Sequence, residues 1–539
     1  MMRTKQLFKT RLLSFAALCS MALAVVSCAN EDVAQNGTDT GSNDNDKNMT
    51  TFVAGNPTKT RTTMDYADGA FYWEAGDKIY VQDDDGTWKV SSNAPTSKTS
   101  YFKFKVSGKF NNSATYKVYY PGKNGSNNQL TIPAAQTQTT PSTTDHFGIS
   151  GDCGTADATG TVGGKSFSFQ LEHQAAILVF EPFTKNAVFK NCYLTKVEVT
   201  ADNNIAGSYT LDPSNGEITG AGSNKQIILT TKGSGAYTDG FKLDNSTNST
   251  TADKIYMFIK PGTHKLKIRY WLKDLVTGTE GTITKAPGSF TYDKNTYYDM
   301  TANLDTRVYS GHNYYMWDAQ QNYWAGYEWD SANPDQLTGG WSSHYPKSQT
   351  TDPQRWCDEA KNMVSTPYEA QTAHFKTLPN VNEVVWYIQK GEVRSDDDEL
   401  IVSMGKMHKG GLWIKKESKI ATDNSTSIPL MKNAAPDGTD YRAATSFQTS
   451  FYNIKTIGST TLPTADEAAD YFWLPSSLGG YNSGLPQTFS SASLYWTSTG
   501  CAYPYYMAYA FQVVHEPSGY SIGLMYGGMI DGFLVHPLE

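Results

Sequence analysis

Residues 167–180 read FSFQLEHQAAILVF. Apolar side chains alternate with polar ones through much of that run, the period of two that sends successive residues to opposite faces of a sheet. The same grammar extends both ways. Upstream lie Phe71 to Val81 (FYWEAGDKIYV), Tyr101 to Val106, and Tyr116 to Tyr120 before Pro121-Gly122. Downstream lie Leu194 to Thr200, Ile205 to Leu211, Ile255 to Lys260 before Pro261-Gly262, and Leu266 to Leu272. Short runs of this kind, separated by Gly, Asn, Asp and Pro, predict sheet packed on sheet from Thr51 to about Asp305. A break near Glu181 to Asn191 divides the span into two β-sandwiches.

Composition agrees. Aromatics make up 13% of the 539 residues, with 34 Tyr and 12 Trp, and charged residues only 18%; that bias suits many short strands. The formal charge of -8 excludes a basic protein tracking a phosphate backbone, so nucleic acid is not an expected partner. Mean hydropathy is -0.50 and the one long apolar run is N-terminal, which excludes a polytopic membrane protein.

That run belongs to an export signal. Arg3, Lys5, Lys9 and Arg11 precede an apolar stretch from Leu12 to Val26, too short and one-sided for a stable span. It ends in Val25-Val26-Ser27-Cys28, a pattern that resembles the lipobox of bacterial lipoproteins, which implies lipidation at Cys28 and removal of residues 1–27. Residues 28–50 are polar and nearly free of aromatics, a disordered tether to the outer membrane. Of the remaining cysteines, Cys153, Cys192, Cys357 and Cys501 lie at wide spacing with no zinc pattern. Pairing of Cys153 with Cys192 and of Cys357 with Cys501 is conceivable after export, with buried thiols as the alternative.

Beyond Asp305 helices enter and Trp density rises. Val381, Val384, Val385 and Ile388 recur at helical spacing between Pro379 and Gly391, predicting a helix over about Asn380 to Lys390. Thr464 and Glu467 form a capping-box pattern for a shorter helix to Tyr471. Strands are expected at Leu494 to Ser498, Met507 to Val514, Ser521 to Tyr526 and Gly532 to Val535. This half reads as α+β with antiparallel pairing.

Catalytic motifs are absent: there is no Walker loop, HExxH or dinucleotide fingerprint, and Asp83-Asp84-Asp85-Gly86 reads as a hairpin turn. Gly519-Tyr520-Ser521-Ile522-Gly523 matches G-x-S-x-G, followed by Asp531 and His536. A nucleophile elbow needs strand, turn and helix, whereas Ser521 sits inside an alternating strand. No enzyme activity, catalytic residue, cofactor or metal is expected. Asp396, Asp397, Asp398 and Glu399 could offer oxygens to Ca²⁺ in a loop after the helix, though a solvated acidic loop is the plainer reading. The string Tyr314, Tyr315, Trp317, Tyr323, Trp324, Tyr327, Trp329 and Trp341 could stack on sugar faces, with Trp317, Trp324, Trp329 and Trp341 the binding candidates and core packing the alternative.

From Thr51 to Asp305 the chain resembles the fimbrillin-like (major fimbrial subunit) family of Bacteroidetes type V pili. The likeness is carried by Lys59-Thr60-Arg61-Thr62 before Phe71-Tyr72-Trp73-Glu74-Ala75-Gly76-Asp77-Lys78-Ile79, by Leu171-Glu172-His173-Gln174-Ala175-Ala176, and by Tyr297-Tyr298-Asp299-Met300-Thr301. From about Lys376 it resembles the Fibrobacter major paralogous domain, of C-type-lectin-like fold. The matching pieces are Leu378-Pro379, Phe472-Trp473-Leu474-Pro475, Tyr495-Trp496-Thr497-Ser498 and Asp531-Gly532-Phe533-Leu534-Val535-His536, with His536 where that family usually shows Arg.

The resemblance implies a mostly β chain of two fimbrillin-type (transthyretin-like) β-sandwiches, 62–185 and 186–305, followed by a lectin-like α+β domain, 306–539. It further implies cleavage between Arg61 and Thr62 by an arginine-specific protease, loss of a strand within 51–61, and insertion of a strand from another pilus subunit. No free donor strand follows the second sandwich, which points to a tip or minor adhesin subunit of the fimbrium at the cell surface, its last domain contacting a glycan or protein ligand. A free-standing surface glycan-binding lipoprotein is the alternative.

Overall fold

The computed structural model describes residues 3–6, 49–55, 72–243, 253–338, 340, 343–357, 368–443, 455–489, 491–501 and 506–539. Cys28, Arg61, Thr62 and Trp341 lie outside the described residues. The protein is mostly β, as the alternating runs predict. It falls into two compact units: Met1–Phe183 with Thr195–His264 and Ser289–Asn303, and Thr184–Leu194 with Lys265–Gly288 and Leu304–Glu539. These cut across the boundaries expected from sequence, because 186–305 contributes to both.

In the first unit a curled sheet runs in the order Trp88–Val90, Tyr80–Gln82, Thr115–Tyr120, Gly154–Gly160, Ser166–Phe169, Met49–Ala54, Phe102–Ser107. Its ends meet, since Ser91 bridges Val106. Inward side chains form an aromatic core of Phe52, Trp73, Phe104, Phe110, Tyr116, Tyr120, Phe167 and Phe169. The turn Asp83 to Gly86 is the expected hairpin: Gly86 N donates to the Asp83 carbonyl at 2.9 Å. The opening stretch splits at its polar middle into Ser166–Phe169, Glu172–His173 and Ala176–Phe183. His173 explains that break: it is buried, with Nδ1 2.5 Å from Asp152 Oδ1. Ala176–Phe183 is sandwiched between Ile255–Ile259 and Thr296–Asn303. Arg3–Gln6, within the segment read as a leader, is placed antiparallel to Thr296–Asn303.

The second unit holds a sheet of Tyr471–Pro475, Lys406–Lys415, Arg394–Ser403 and Glu280–Lys285, the last paired with residues 268–273. Another sheet centres on Ala492–Gly500, Met507–Glu516 and Gly519–Gly528, with Phe533–Leu534 beside Tyr314–Tyr315. The helix Val381–Lys390 forms as predicted: Asn380 accepts from Glu383 N, and Glu383 reaches back to Asn380 N. At Thr464 the cap also forms, with Glu467 Oε2 accepting from Thr464 N at 2.9 Å. Only the 3-10 turn Ala468–Asp470 grows from it, because Glu467 is also committed to Arg394, with Nη1 and Nη2 donating at 2.9 Å. No disulfide joins Cys153, Cys192, Cys357 or Cys501; all four are buried.

Candidate functional site

The strand Met49–Ala54 is the feature of the first unit most open to a functional role. It begins at Met49, two residues earlier than the expected tether allows, and its burial alternates with Thr50, Phe52 and Ala54 inward. It pairs parallel with Ser166–Phe169 and antiparallel with Phe102–Ser107, and so sits inside the sheet rather than at its edge. Phe52 is fully buried. Its ring stacks on Phe167 at 5.5 Å and meets Phe110 edge-on at 5.1 Å. At ~1.5–3 kcal/mol for a buried aromatic or aliphatic side chain, Phe52 is the strand's main anchor. Among the described residues its one side-chain hydrogen bond is the contact of the Ser92 hydroxyl with Met49 Sδ at 3.3 Å. Burial and the backbone ladder therefore hold this strand almost alone.

The Trp-Glu-Ala-Gly-Asp motif supplies the groove's far wall. Trp73 packs on Phe104 at 4.9 Å, on Tyr120 at 5.7 Å and on Phe169 at 6.3 Å. Asp77 closes the turn by accepting from Glu74 N at 2.7 Å and from the Tyr120 hydroxyl at 2.9 Å, and burial pushes its carboxyl up to about 6. Gly76 sits at φ +87°, where a side chain is strained, so the motif's glycine is a backbone requirement.

In the second unit the sequence candidates separate. Trp317 and Trp324 are core residues, 1% and 0% exposed: Trp317 Nε1 donates to the Thr497 carbonyl at 3.0 Å and Trp324 meets Tyr481 edge-on at 5.3 Å. Neither ring offers a face to a ligand, because each has the apolar perimeter that core packing claims first. Trp329 is half-buried, its Nε1 donating to the Ser310 carbonyl at 2.6 Å. A half-buried aromatic cluster, only half legible in the sequence, lies next to it in the chain. Tyr327 stacks on His344 at 4.2 Å with the planes 6° apart. The Arg355 guanidinium lies 5.6 Å from the Tyr327 ring, and Lys347 lies 5.2 Å from that of Tyr345. Asp335 Oδ2 sits 2.5 Å from His344 Nδ1, and the His344 hydrogen bonds hold the Asp335 carboxyl below its ordinary range. Arg355 is spent on structure, donating to Asp352 and to the carbonyls of Tyr323 and His344.

The acidic run 396–399 is not a loop: Asp396 and Glu399 are buried, while Asp397 and Asp398 reach solvent. It lies within the strand Arg394–Ser403, where the register shifts between Asp396 and Leu400, and each carboxylate has its own partner. Asp396 accepts from Arg269 Nη2 at 3.0 and 3.2 Å and from Trp413 Nε1 at 2.9 Å. Asp397 accepts from the Tyr520 hydroxyl at 2.6 Å, and Asp398 faces Lys409 at 3.5 Å. Glu399 accepts from the Thr282 hydroxyl at 2.9 Å, Thr284 N at 2.8 Å and the Thr284 hydroxyl at 2.7 Å. Burial, then the neighbouring Asp396 charge, push Glu399 up to about 7. Gly281 permits this approach, since a Cβ there would meet the Asp398 carbonyl at 2.4 Å. Among the described residues no cluster of His, Cys, Asp and Glu could hold a metal. Ser521 lies in the extended strand Gly519–Gly528 and not on a turn into a helix, so the G-x-S-x-G match has no elbow.

No family model and no curated protein matches the chain. Solved structures similar to it include fimbrial and adhesion proteins. A candidate cell adhesion protein from Bacteroides ovatus is 16% identical over 43% of this chain and 83% of its own, with a TM-score of 0.29. The fimbrial anchor protein Mfa2 from Porphyromonas gingivalis is 12% identical over 44% and 82%, with a TM-score of 0.22. A fimbrial protein from Bacteroides ovatus is 14% identical over 50% and 52%, also at 0.22. At these scores the likeness assigns no role to any residue of the chain.

Proposed function

We propose that the protein is a pilus-associated adhesion subunit at the tip of the fibre, with the first unit built for assembly and the second for contact. The observation that carries this reading is the placement of Met49–Ala54: a strand deep in a sheet, anchored by Phe52, and separated by only a few residues from Arg61. Cleavage after Arg61 would sever it from the body of the chain, and its departure would leave an aromatic-lined slot with unpaired backbone on both sides. A strand from another subunit fills such a slot by β-augmentation. Support for an acceptor that does not donate comes from Phe533–Leu534, which is paired on both sides within its own sheet, to Tyr314–Tyr315 and to Tyr495. N-terminal sequencing of fibre-borne protein tests the reading. A start at Thr62 is expected, and a mature form that retains Phe52 overturns it. In the precursor Cys28 carries the lipid anchor, so Cys28→Ala abolishes lipid labelling. Contact with a glycan or protein ligand falls to the stacked pair Tyr327 and His344 with Tyr345 and Trp329 beside them; Tyr327→Ala is expected to abolish binding on a glycan array.

A further inference from the structure

On the first unit's curled sheet, Tyr116 and Val118 point into the aromatic core, so Lys117 between them points outward. There it borders a polar cleft of about 300 Å³. Strand register builds the floor. Lys117 stands opposite Asp157 across one strand pair, with Nζ and Oδ1 2.8 Å apart. Thr155, two residues from Asp157 and on the same face, stands opposite Glu172 across the next pair. The turn from Asp212 to Glu217 forms a wall, from which Ser214 and Asn215 line the cleft. That wall is braced from within. Asp212 Oδ1 accepts from Ser214 N at 2.8 Å and from the Ser214 hydroxyl at 2.6 Å, and Asn215 Oδ1 accepts from Glu217 N at 2.8 Å. Lys294 Nζ donates to the Asn215 carbonyl at 2.8 Å. Gln174, 1% exposed, joins wall to floor: its Nε2 donates to Thr155 Oγ1 at 3.1 Å and to the Glu172 carbonyl at 2.7 Å. Gly216 lies so near that a Cβ there would meet Gln174 Oε1 at 2.3 Å, and that buried oxygen accepts no hydrogen bond among the described residues. Groups held this way need little ordering when a ligand arrives.

The lining's chemistry selects the ligand. Lys117 donates, and the Asp157 and Glu172 carboxylates accept. Thr155 Oγ1 accepts from Gln174 and so has a proton to give, Ser214 Oγ gives its proton to Asp212 and so has lone pairs to offer, and Asn215 spends its Oδ1 in the turn, which leaves Nδ2 as a donor. Donors and acceptors are thus interspersed. A metal ion wants acceptors alone, and among the described residues no cluster of His, Cys, Asp and Glu could hold one. An anion wants donors alone. A protein partner wants an apolar centre, whereas only Ala156 and Pro213 are apolar in this lining. A hydroxyl is donor and acceptor at once. We propose that the cleft is a second binding site, for a neutral sugar residue, with Glu172 accepting from its hydroxyls and Lys117 and Asn215 donating to them. The space, equal to that of about ten waters at roughly 30 Å³ each, admits a mono- or disaccharide. No aromatic ring lines it, so hydrogen bonds rather than stacking set the affinity. The site is independent of strand exchange and separate from the contact assigned to Tyr327.

The test titrates the full chain with the methyl glycosides of glucose, galactose and mannose, with binding read by saturation-transfer NMR and calorimetry. At least one is expected to bind with a dissociation constant in the millimolar range, as a small ligand held by a few polar contacts does. Such binding is too weak to survive the washing of an array, so this site and the one in the second unit are read separately. Glu172→Gln keeps the shape and removes the charge, and is expected to weaken binding about tenfold, the effect of losing a charge-assisted hydrogen bond. Glu172 is exposed, so its Tm should not change. Asn215→Ala, on the opposite wall, is expected to weaken binding too, which keeps the outcome from resting on one variant. Tyr327→Ala is expected to leave it intact. The proposal is overturned if none of the glycosides binds saturably, if binding survives both Glu172→Gln and Asn215→Ala, or if Tyr327→Ala removes it. Tighter binding of methylammonium chloride or inorganic phosphate than of any glycoside also overturns it, because the cleft would then be a charge site.

Discussion

Met49–Ala54 in the first unit and Arg394–Ser403 in the second are both strands flanked on either side, yet they are held by opposite means. The first turns Thr50, Phe52 and Ala54 inward and has, among the described residues, one weak side-chain hydrogen bond, and it carries no charge. The second carries four consecutive acids, each tied to a named donor or cation. A strand secured only by burial and the ladder can be replaced by any segment with the same inward pattern. One secured by a guanidinium, an indole and two threonines cannot, because a substitute would leave Arg269 and the threonines unmatched in the interior. Exchangeability and permanence are thus written in the side chains rather than in the backbone pairing, which the two strands share.

The sharpest way to break this contrast is to remove the cation. Arg269 is 5% exposed and is the guanidinium facing Asp396. Arg269→Ala leaves a buried carboxylate without its charge partner, at a cost of about 3–5 kcal/mol by denaturant unfolding of the second unit. A loss below 1 kcal/mol would mean that the acidic run is merely tolerated there. For the first strand the corresponding change is Phe52→Ala. In the uncut chain it is expected to cost about 3 kcal/mol, at the low end for a buried aromatic because the slot's mouth can relax. Chemical denaturation read through Trp73 fluorescence measures it.

The contrast also explains what the sequence disclosed. Alternation around Phe104 and Phe167 is a local signal, since each residue's inward direction follows from its neighbours two positions away. The helix Val381–Lys390 was legible for the same reason, with Asn380 and Glu383 marking its start within one turn. The acidic run misled because four acids read locally as loop, while the groups that make them a strand are distant: Arg269 is 127 positions from Asp396 and Thr282 is 117 from Glu399. The aromatic surface failed likewise. Trp317 and Trp324 announce themselves by composition, but only the folded chain distinguishes their enclosed rings from the partly exposed Tyr327–His344 stack. Unit boundaries were beyond reach, because Lys265–Gly288 belongs with residues near 399 that no local pattern connects to it. A chain begun at Thr306 would lose those strands, so ligand binding is best measured on the full chain.

Acid–base behaviour sharpens the contrast further. The folded value of Glu399, about 7, lies above its ordinary value of 4.5, so the folded state binds this proton more tightly than the unfolded one. Its contribution is complete below about pH 4.5 and is lost as pH rises through 7. Asp77 and Asp531, pushed up to about 6, and Glu417, pushed up to about 8, act in the same direction. The readout is therefore a difference: Glu399→Gln should flatten the fall in second-unit stability between pH 5 and 8, by on the order of 2 kcal/mol across the range. Met49–Ala54 has no titratable group, and Phe52→Ala should leave the pH profile's shape unchanged.

The smallest effect is expected from the same acidic run. Asp398 belongs to the strand that Asp396 anchors and faces a cation too, Lys409 at 3.5 Å, but both side chains are open to water at 37% and 44% exposure. In that setting the Coulomb attraction is weak and screened by salt, and ordering two mobile side chains offsets most of it. Asp398→Asn keeps the backbone N–H that donates to Asp396 Oδ1 at 3.0 Å, so the buried cluster is untouched. We expect a loss of about 0.5 kcal/mol or less, vanishing at high salt, against a change several times larger for Asp396→Asn that salt does not erase. Equal costs for the two substitutions would mean that partner identity, not burial, decides which strand is permanent, and the contrast between the two strands would then have to be redrawn around charge alone.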